Sequence, residues 1–174
     1  MKKLNLGAGT DIKQGYVNLD IVNLVGTDIV ADVNKKLPFK DNYFDEILAS
    51  DIIEHVDNVS KVMKELYRIL KTGGKLKIKV PHYNSPNAYC DPTHINFFAS
   101  QTFLYFIKEN DRNYYFDFSF SKVTTKLTFL KKVYFPYNYL LEPLVNINDA
   151  VRMIYENSLL KIFPSFNLEV ELAK

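Results

Sequence analysis

Apolar and polar residues alternate in several short segments of the chain, with the period of two that is typical of β-strands. This pattern predicts strands at 3–6, 16–21, 28–33, 44–49, 75–81, about 122–130 and 166–172. At 58–71 the apolar period becomes helical, and one helix face carries Val59, Val62, Met63, Leu66, Ile69 and Leu70. Shorter helices are predicted after a cap at Ser100 and over about 147–160, with a loop at 82–99. Strands that alternate with helices predict an α/β fold whose sheet is mainly parallel.

The alternation also predicts that the two faces of the sheet differ. Parallel strands that are buried on both faces read as continuous apolar runs, whereas a lysine alternates with an apolar residue along 75–80. The sequence has no room for a helix between Gly9 and Tyr16 or between Ile21 and Asp28. We therefore predict that helices cover one face well and the other thinly. Two alternatives are that the aromatic-rich C-terminal half, or a second subunit, covers the second face.

Composition narrows the class of protein without choosing a function. The 174 residues fit one domain, and a net charge of +2 does not demand nucleic acid as a partner. A single cysteine fits a reducing compartment. The start "MKKLNL" lacks the apolar run of a signal peptide, and the chain has no stretch of 18 apolar residues. These features predict a cytoplasmic protein.

Glycines and acids follow the early strands, at the edge where open α/β sheets bind ligands. They are Gly7, Gly9, Asp20, Asp32, Ser50 and Asp51. Glycine allows the backbone to approach a ligand closely, and a carboxylate can accept two hydrogen bonds from a ribose diol. The alternative is that the glycines form a plain tight turn and that both strand-end acids are turn formers. The loop is not a dinucleotide fingerprint, because its third glycine and following helix are missing.

The segments "LNLGAG", "VNLDI", "ADV", "LPFKDNYFDEILASDIIEHV" and "LKTGGKLKIKVP", which span about residues 3–82, carry a family resemblance. The chain resembles a class I S-adenosylmethionine-dependent methyltransferase of the methyltransferase type 11 group, trimmed of the helix after the glycine loop. The resemblance implies a Rossmann-like sheet, mainly parallel with an antiparallel C-terminal strand, and S-adenosylmethionine as the cofactor. It implies cofactor-binding roles for Gly7, Ala8, Gly9, Thr10, Asp20, Ile21, Asp32, Val33, Ser50, Asp51 and His55.

A second group of chemically active residues lies in "PHYNSPNAYCDPTHINFF", residues 81–98. It resembles the "DPTH" segment of a branch of these methyltransferases. We predict an acceptor pocket with His94, His82 and Asp91 as catalytic residues and one histidine as the general base. A metal site formed by the same three residues is an alternative, but their spacing matches no strong pattern, so none is predicted. His94 could instead be structural, and Asp91-Pro92 an ordinary turn.

The predicted function is methyl transfer from S-adenosylmethionine to an O or N atom of a small molecule, a sugar or another metabolite. An RNA- or protein-directed methyltransferase is the first alternative, because lysines and arginines lie among the aromatics between Phe97 and Tyr139. A non-catalytic module that binds the cofactor or a partner is the second. The aromatic stretch "YFPYNYLLEPL", residues 134–144, could be a lid, a subunit contact of a homodimer or a membrane-surface edge.

Overall fold

The computed structural model describes residues 1–132 and 135–174. The strands are β1 Lys3–Leu6, β2 Val17–Asp20, β3 Ile29–Val30, β4 Phe44–Ser50, β5 Leu70–Pro81, β6 Lys122–Leu127 and β7 Asn167–Ala173. The α-helices are α1 Val59–Ile69, α2 Asn87–Cys90, α3 Asn138–Val145 and α4 Asp149–Asn157. Short 3₁₀ turns cover Ile53–His55, Thr102–Phe106, Asn113–Tyr115 and Leu159–Ile162.

The strands form one mixed sheet in the order β3-β2-β1-β4-β5-β7-β6. Strands β1 to β5 pair in parallel, and β7 runs antiparallel to both of its neighbours. The order reverses direction at β1, so the carboxyl ends of β1 and β4 border the topological switch point. The predicted α/β class and the antiparallel C-terminal strand are confirmed.

Helix α1 covers one face of the sheet. Asn58 caps its start by accepting a hydrogen bond from the Lys61 amide at 2.9 Å. Its buried residues are Val62, Met63, Leu66 and Ile69, which join the apolar strand residues in one core. The helix ends at Ile69 rather than at residue 71, because β5 begins at Leu70, well before the predicted start at residue 75.

The aromatic residues between 98 and 120 extend the same covered face. Tyr67 of α1 contacts the rings of Phe118 and Phe120, at 5.5 and 5.2 Å between centroids. Buried with them are Phe98, Phe103 and Phe106. This part of the aromatic-rich half therefore packs beside α1 and not on the opposite face.

The opposite face of the sheet is open over β4 to β7. A shallow concavity of about 370 Å³ lies on it, and every residue that lines this concavity belongs to β4, β5, β6 or β7. Charged side chains stand on this face in pairs, such as Lys77 with Glu46 at 2.7 Å and Lys75 with Glu171 at 2.8 Å. The prediction that helices are reduced on one face is confirmed for the described residues.

The region after residue 99 departs most from prediction. Ser100 does not cap a helix, since its hydroxyl donates to Glu156 at 2.8 Å and only a 3₁₀ turn follows. The predicted helix over 147–160 is α4 followed by a separate 3₁₀ turn, and α3 was not predicted because Pro143 interrupts its pattern. Tyr134, the first residue of the predicted lid, lies outside the described residues. No helix in the described ranges is both long and apolar enough to span a membrane.

Candidate active site

A cleft lies at the carboxyl ends of β1, β2 and β3, where the strand order predicts a ligand site. Its volume is about 160 Å³. The lining residues are Gly7, Leu19, Asp20, Ile21, Ala31, Asp32, Val33, Asn34, Ile52, His55 and Val56. Such a volume encloses only part of a ligand of nucleoside size or larger, since small-molecule pockets usually measure about 300–1,000 Å³. The remainder of such a ligand would lie in the open mouth of the cleft.

Strand β2 itself holds the glycine loop in place. The Gly9 amide donates to Oδ2 of Asp20 at 2.7 Å, and the Val22 amide donates to Oδ1 of the same carboxylate at 3.0 Å. The Ala8 amide donates to the Leu19 carbonyl at 2.9 Å. These bonds replace the support that a helix behind the loop would give. They explain how the loop keeps its shape in a chain with no room for that helix.

Gly7 lets the loop pass close to the far wall of the cleft. Its φ is +66°, and a Cβ at this position would lie 2.8–2.9 Å from side-chain carbons of Ile52. A side chain would therefore be strained by the backbone conformation and would also overlap Ile52. The loop and Ile52 can meet only because residue 7 is glycine.

The rim of the cleft combines one acid with an exposed apolar side chain. Asp32 accepts a hydrogen bond from the Asn34 amide at 2.9 Å and lies 3.5 Å from the Lys35 ammonium. Ile21 is 64% exposed, although it immediately follows a buried strand. An exposed apolar residue at the mouth of a cleft can pack against the flat face of a bound ring.

The loop at 91–96 folds back onto the 3₁₀ turn that follows β4. The Ile95 and Asn96 amides donate to the Glu54 carbonyl at 3.0 and 3.1 Å, and Nδ2 of Asn96 donates to the Val56 carbonyl at 2.7 Å. This clamp brings the rings of His55 and His94 to 4.6 Å between centroids. Because His55 also lines the cleft, the histidine pair adjoins it.

Glu54 completes this cluster, although the sequence analysis did not select it. It is 1% exposed, and neither carboxylate oxygen has a hydrogen-bond partner in another of the described residues. Its Oε1 lies 4.0 Å from Nε2 of His94, which in turn lies 3.9 Å from Oδ2 of Asp91. Burial raises the pKa of Glu54 to about 7. Within "SDIIEHV" no periodicity separates this buried glutamate from the exposed acids around it.

Comparisons with known proteins agree with this geometry. A family model described as "Methyltransferase domain" matches residues 4–78. The chain is 41% identical over 63 residues to a sterol 4-C-methyltransferase of Caenorhabditis elegans, covering 34% of this chain and 19% of that protein. It is 32% identical over 74 residues to a ubiquinone/menaquinone biosynthesis C-methyltransferase of Vibrio cholerae, covering 39% of this chain and 28% of that protein.

The fold has matches among solved structures. A methyltransferase from Archaeoglobus fulgidus, described as dependent on S-adenosylmethionine, superposes with a TM-score of 0.65. The identity is 16%, over 99% of this chain and 86% of that one. Residues 4–78 therefore resemble a methyltransferase domain, and the chain as a whole has the fold of the matched S-adenosylmethionine-dependent methyltransferase. It spans well under half of the length of the curated relatives it matches.

Several of the predicted cofactor-binding residues do not line the cleft. Ala8 is buried in the loop, and Thr10 is exposed beside it. Ser50 lines the concavity on the open face of the sheet. Asp51, with a φ of +54°, forms an ion pair with Lys79 at 2.5 Å. The structure thus gathers Gly7, Asp20, Ile21, Asp32, Val33 and His55 around the cleft and leaves the others beside it or outside it.

His82 lies apart from the other two histidines. His82 is fully buried, with Nε2 2.7 Å from Oε1 of Glu156 and Nδ1 2.5 Å from Oγ of Ser165. Glu156 also accepts hydrogen bonds from the amide and hydroxyl of Ser100, at 2.7 and 2.8 Å. Both ring nitrogens of His82 are therefore occupied inside the protein. This arrangement favours a structural role for His82 over the predicted catalytic one.

Proposed function

We propose that this protein is a methyltransferase, which binds S-adenosylmethionine in the cleft and transfers its methyl group to an O or N atom of a small molecule. The proposal rests on one observation: two groups of polar side chains lie at the mouth of the same cleft. Asp20 lies at the end of β2 inside the cleft, and the histidine pair with Asp91 adjoins the same cleft through His55. A cofactor group and an acceptor group that share a mouth can bring a methyl donor and a nucleophile together.

The chain's own residues fit the parts of the cofactor. Asp20 would accept hydrogen bonds from the ribose hydroxyls, and the backbone of Gly7 and Gly9 would approach the methionine portion. Asp32, Val33 and the exposed Ile21 would frame the adenine. The fit rests on the carboxylate at the cleft, on the glycine that passes close to Ile52 and on the apolar rim. When bound, S-adenosylmethionine supplies an electrophilic methyl group on a sulfonium.

The acceptor would lie over the histidine pair. Methyl transfer from a sulfonium is an in-line displacement, so holding the nucleophile against the methyl group supplies much of the rate. Nδ1 of His94 lies 3.2 Å from the Ala88 carbonyl, and donation of its proton there leaves Nε2 free to accept one. His94 can therefore act as a general base where the acceptor must lose a proton. An acceptor that is already nucleophilic, such as a neutral amine, needs no base.

The relatives named above are described as acting on carbon, which makes a carbon acceptor the main competing possibility. Transfer to RNA or protein, a non-catalytic role, a homodimer and a cytoplasmic location all stay predictions. The net charge of +2 gives no support to a nucleic-acid partner.

We expect label to move from S-adenosyl[methyl-³H]methionine to a sugar hydroxyl or an amine in a panel of acceptors. The panel contains hexoses, amines, a quinol and a short RNA, and transfer is measured as label in the separated acceptor. For a hydroxyl acceptor, His94→Ala lowers kcat by about 10²–10⁴-fold, the usual contribution of a general base. The matched control is Cys90→Ser, an exposed residue at the end of α2, directly before the loop that carries His94, and this variant leaves kcat unchanged. Transfer to the quinol or the RNA alone contradicts the proposed acceptor class.

A further inference from the structure

We propose that Glu54, His55 and His94 form a binding site for a divalent transition-metal ion beside the cofactor cleft. One ligand atom from each residue lies within 4.8 Å of the other two. Two imidazole nitrogens and one carboxylate oxygen are a ligand set that binds Zn²⁺, with a fourth position left open. This site shares only His94 with the metal alternative formed by His82, Asp91 and His94, since Glu54 and His55 take the places of His82 and Asp91.

The environment of Glu54 is the main evidence for a bound cation. Its side chain is 2% exposed, and neither oxygen has a hydrogen-bond partner among the described residues. Removing a carboxylate from water without a partner is costly, and such groups in proteins are usually paired or bound to metals. At 4.0 Å, its contact with His94 is too long for a hydrogen bond. A cation between these residues would satisfy the carboxylate.

The hydrogen bonds of both histidines use Nδ1, which leaves Nε2 available to a metal ion. Nδ1 of His94 lies 3.2 Å from the Ala88 carbonyl, and Nδ1 of His55 lies 2.9 Å from Oγ1 of Thr93. The Thr93 hydroxyl donates to Oδ1 of Asp91 at 2.6 Å, so it accepts from His55. Both rings can therefore carry their proton on Nδ1 and present the Nε2 lone pair to a metal. Hydrogen bonds of this kind orient histidine ligands in metal sites.

The three ligand atoms, which lie within 4.8 Å of one another, would have to move closer together to bind an ion. Ligand atoms in a tetrahedral zinc site with bonds of about 2.0–2.1 Å lie ~3.3 Å apart. His94 belongs to a loop that the Asn96 side chain clamps onto the turn bearing Glu54 and His55, so the three residues are already held together. Rotations of the two rings and the carboxylate would have to bring the ligand atoms to this spacing.

The site would deepen the proposed function, on which this step rests. The site adjoins the cofactor cleft, because His55 lines that cleft. With the ion bound, Nε2 of His94 is a ligand, so the ion takes over the role assigned to His94 as general base. An acceptor hydroxyl bound to the ion would lose its proton to water more readily, since a metal ion lowers the pKa of an oxygen it binds. The site therefore suits an acceptor that presents a hydroxyl or carboxylate oxygen to the ion.

A titration of the metal-free protein with Co²⁺, followed by visible absorption and by competition with Zn²⁺, tests the site without S-adenosylmethionine. We expect one ion per chain. Glu54→Gln and His94→Asn each weaken binding by at least ~100-fold, beyond the 10–100-fold that loss of an outer partner causes. The controls are Cys90→Ser and Asp57→Asn. The first removes an exposed thiol directly before the loop at 91–96, and the second removes an exposed carboxylate that follows the 3₁₀ turn Ile53–His55. Both controls keep wild-type affinity.

Two results overturn the proposal: a wild-type protein that binds no ion, or variants that bind as tightly as wild type. Circular dichroism checks that each variant folds, and His55→Gln serves as a third variant if the buried Glu54→Gln does not fold. If the wild-type protein binds S-adenosylmethionine but no ion, the metal site is excluded and the proposed function is not. If it binds the ion but not S-adenosylmethionine, the proposed function is excluded and the metal site is supported.

Discussion

Replacing Asp20 with alanine lowers the affinity for S-adenosylmethionine by about 100-fold. Hydrogen bonds to a charged group are worth about 1.5–3 kcal/mol each, and every 1.4 kcal/mol changes the dissociation constant tenfold. Two hydrogen bonds from a ribose diol therefore account for this loss. Asp20 also accepts the Gly9 and Val22 amides, so the variant frees the glycine loop as well. Isothermal titration calorimetry of both proteins measures the difference.

Asp11→Ala is the matched control for this variant. Asp11 lies on the same loop, but its carboxylate is 70% exposed and pairs at the surface with Lys13. Surface ion pairs contribute little, so this variant binds S-adenosylmethionine as wild type does. An Asp20→Ala protein that folds and binds within threefold of wild type would show that Asp20 does not contact the cofactor.

Replacing Glu156 with glutamine destabilises the protein by about 3 kcal/mol. The carboxylate is buried and accepts hydrogen bonds from His82 and from the amide and hydroxyl of Ser100. Removing one member of a buried charged network costs about 3–5 kcal/mol, and the neutral amide retains part of the bonding. For a domain of this size, each kcal/mol lowers Tm by about 2–4 °C. Thermal unfolding should therefore show a fall in Tm of roughly 6–12 °C.

The same network gives the stability a pH dependence of known sign. Burial alone would raise the pKa of Glu156, but hydrogen bonds from His82 and Ser100 outweigh it and hold the pKa below its ordinary value of 4.5. A depressed pKa contributes stability that is present above the ordinary value and is lost as pH falls through the folded-state pKa. The contribution of the Glu156 carboxylate to the difference in unfolding free energy between wild type and Glu156→Gln therefore shrinks as the pH falls below about 4.5.

Glu109→Gln is the control, because Glu109 is exposed and its replacement leaves Tm within about 1 °C of wild type. A Glu156→Gln protein that melts with the wild type would contradict the structural role assigned to the His82 network.

The local pattern predicted the parts of the fold that depend on neighbouring residues. Alternation along β5 and β7 located these strands and indicated the open face, because a period of two fixes which side chains share a face. The helical period located α1. The pattern failed at Ser100, whose partner Glu156 is 56 residues away, and a capping rule sees only the next turn.

The candidate site likewise contains some residues that the sequence could predict and others that it could not. Gly7, Asp20 and Asp32 follow strands directly, so sequence position alone placed them at the cleft. Glu54 could not be predicted, because its burial depends on the return of a loop from some 40 residues away, clamped by Asn96. His82 and His94 share one segment of sequence, yet tertiary contacts send one into the interior and the other to the mouth.

Calorimetric titration of the wild-type protein with S-adenosylmethionine and with its demethylated product, S-adenosylhomocysteine, tests the central claim most directly. Both molecules carry the ribose and adenine that the cleft would hold, so both should bind one per chain with micromolar dissociation constants. An absence of heat with either ligand, together with an unchanged Tm in their presence, would show that the cleft at the ends of β1, β2 and β3 is not a cofactor site.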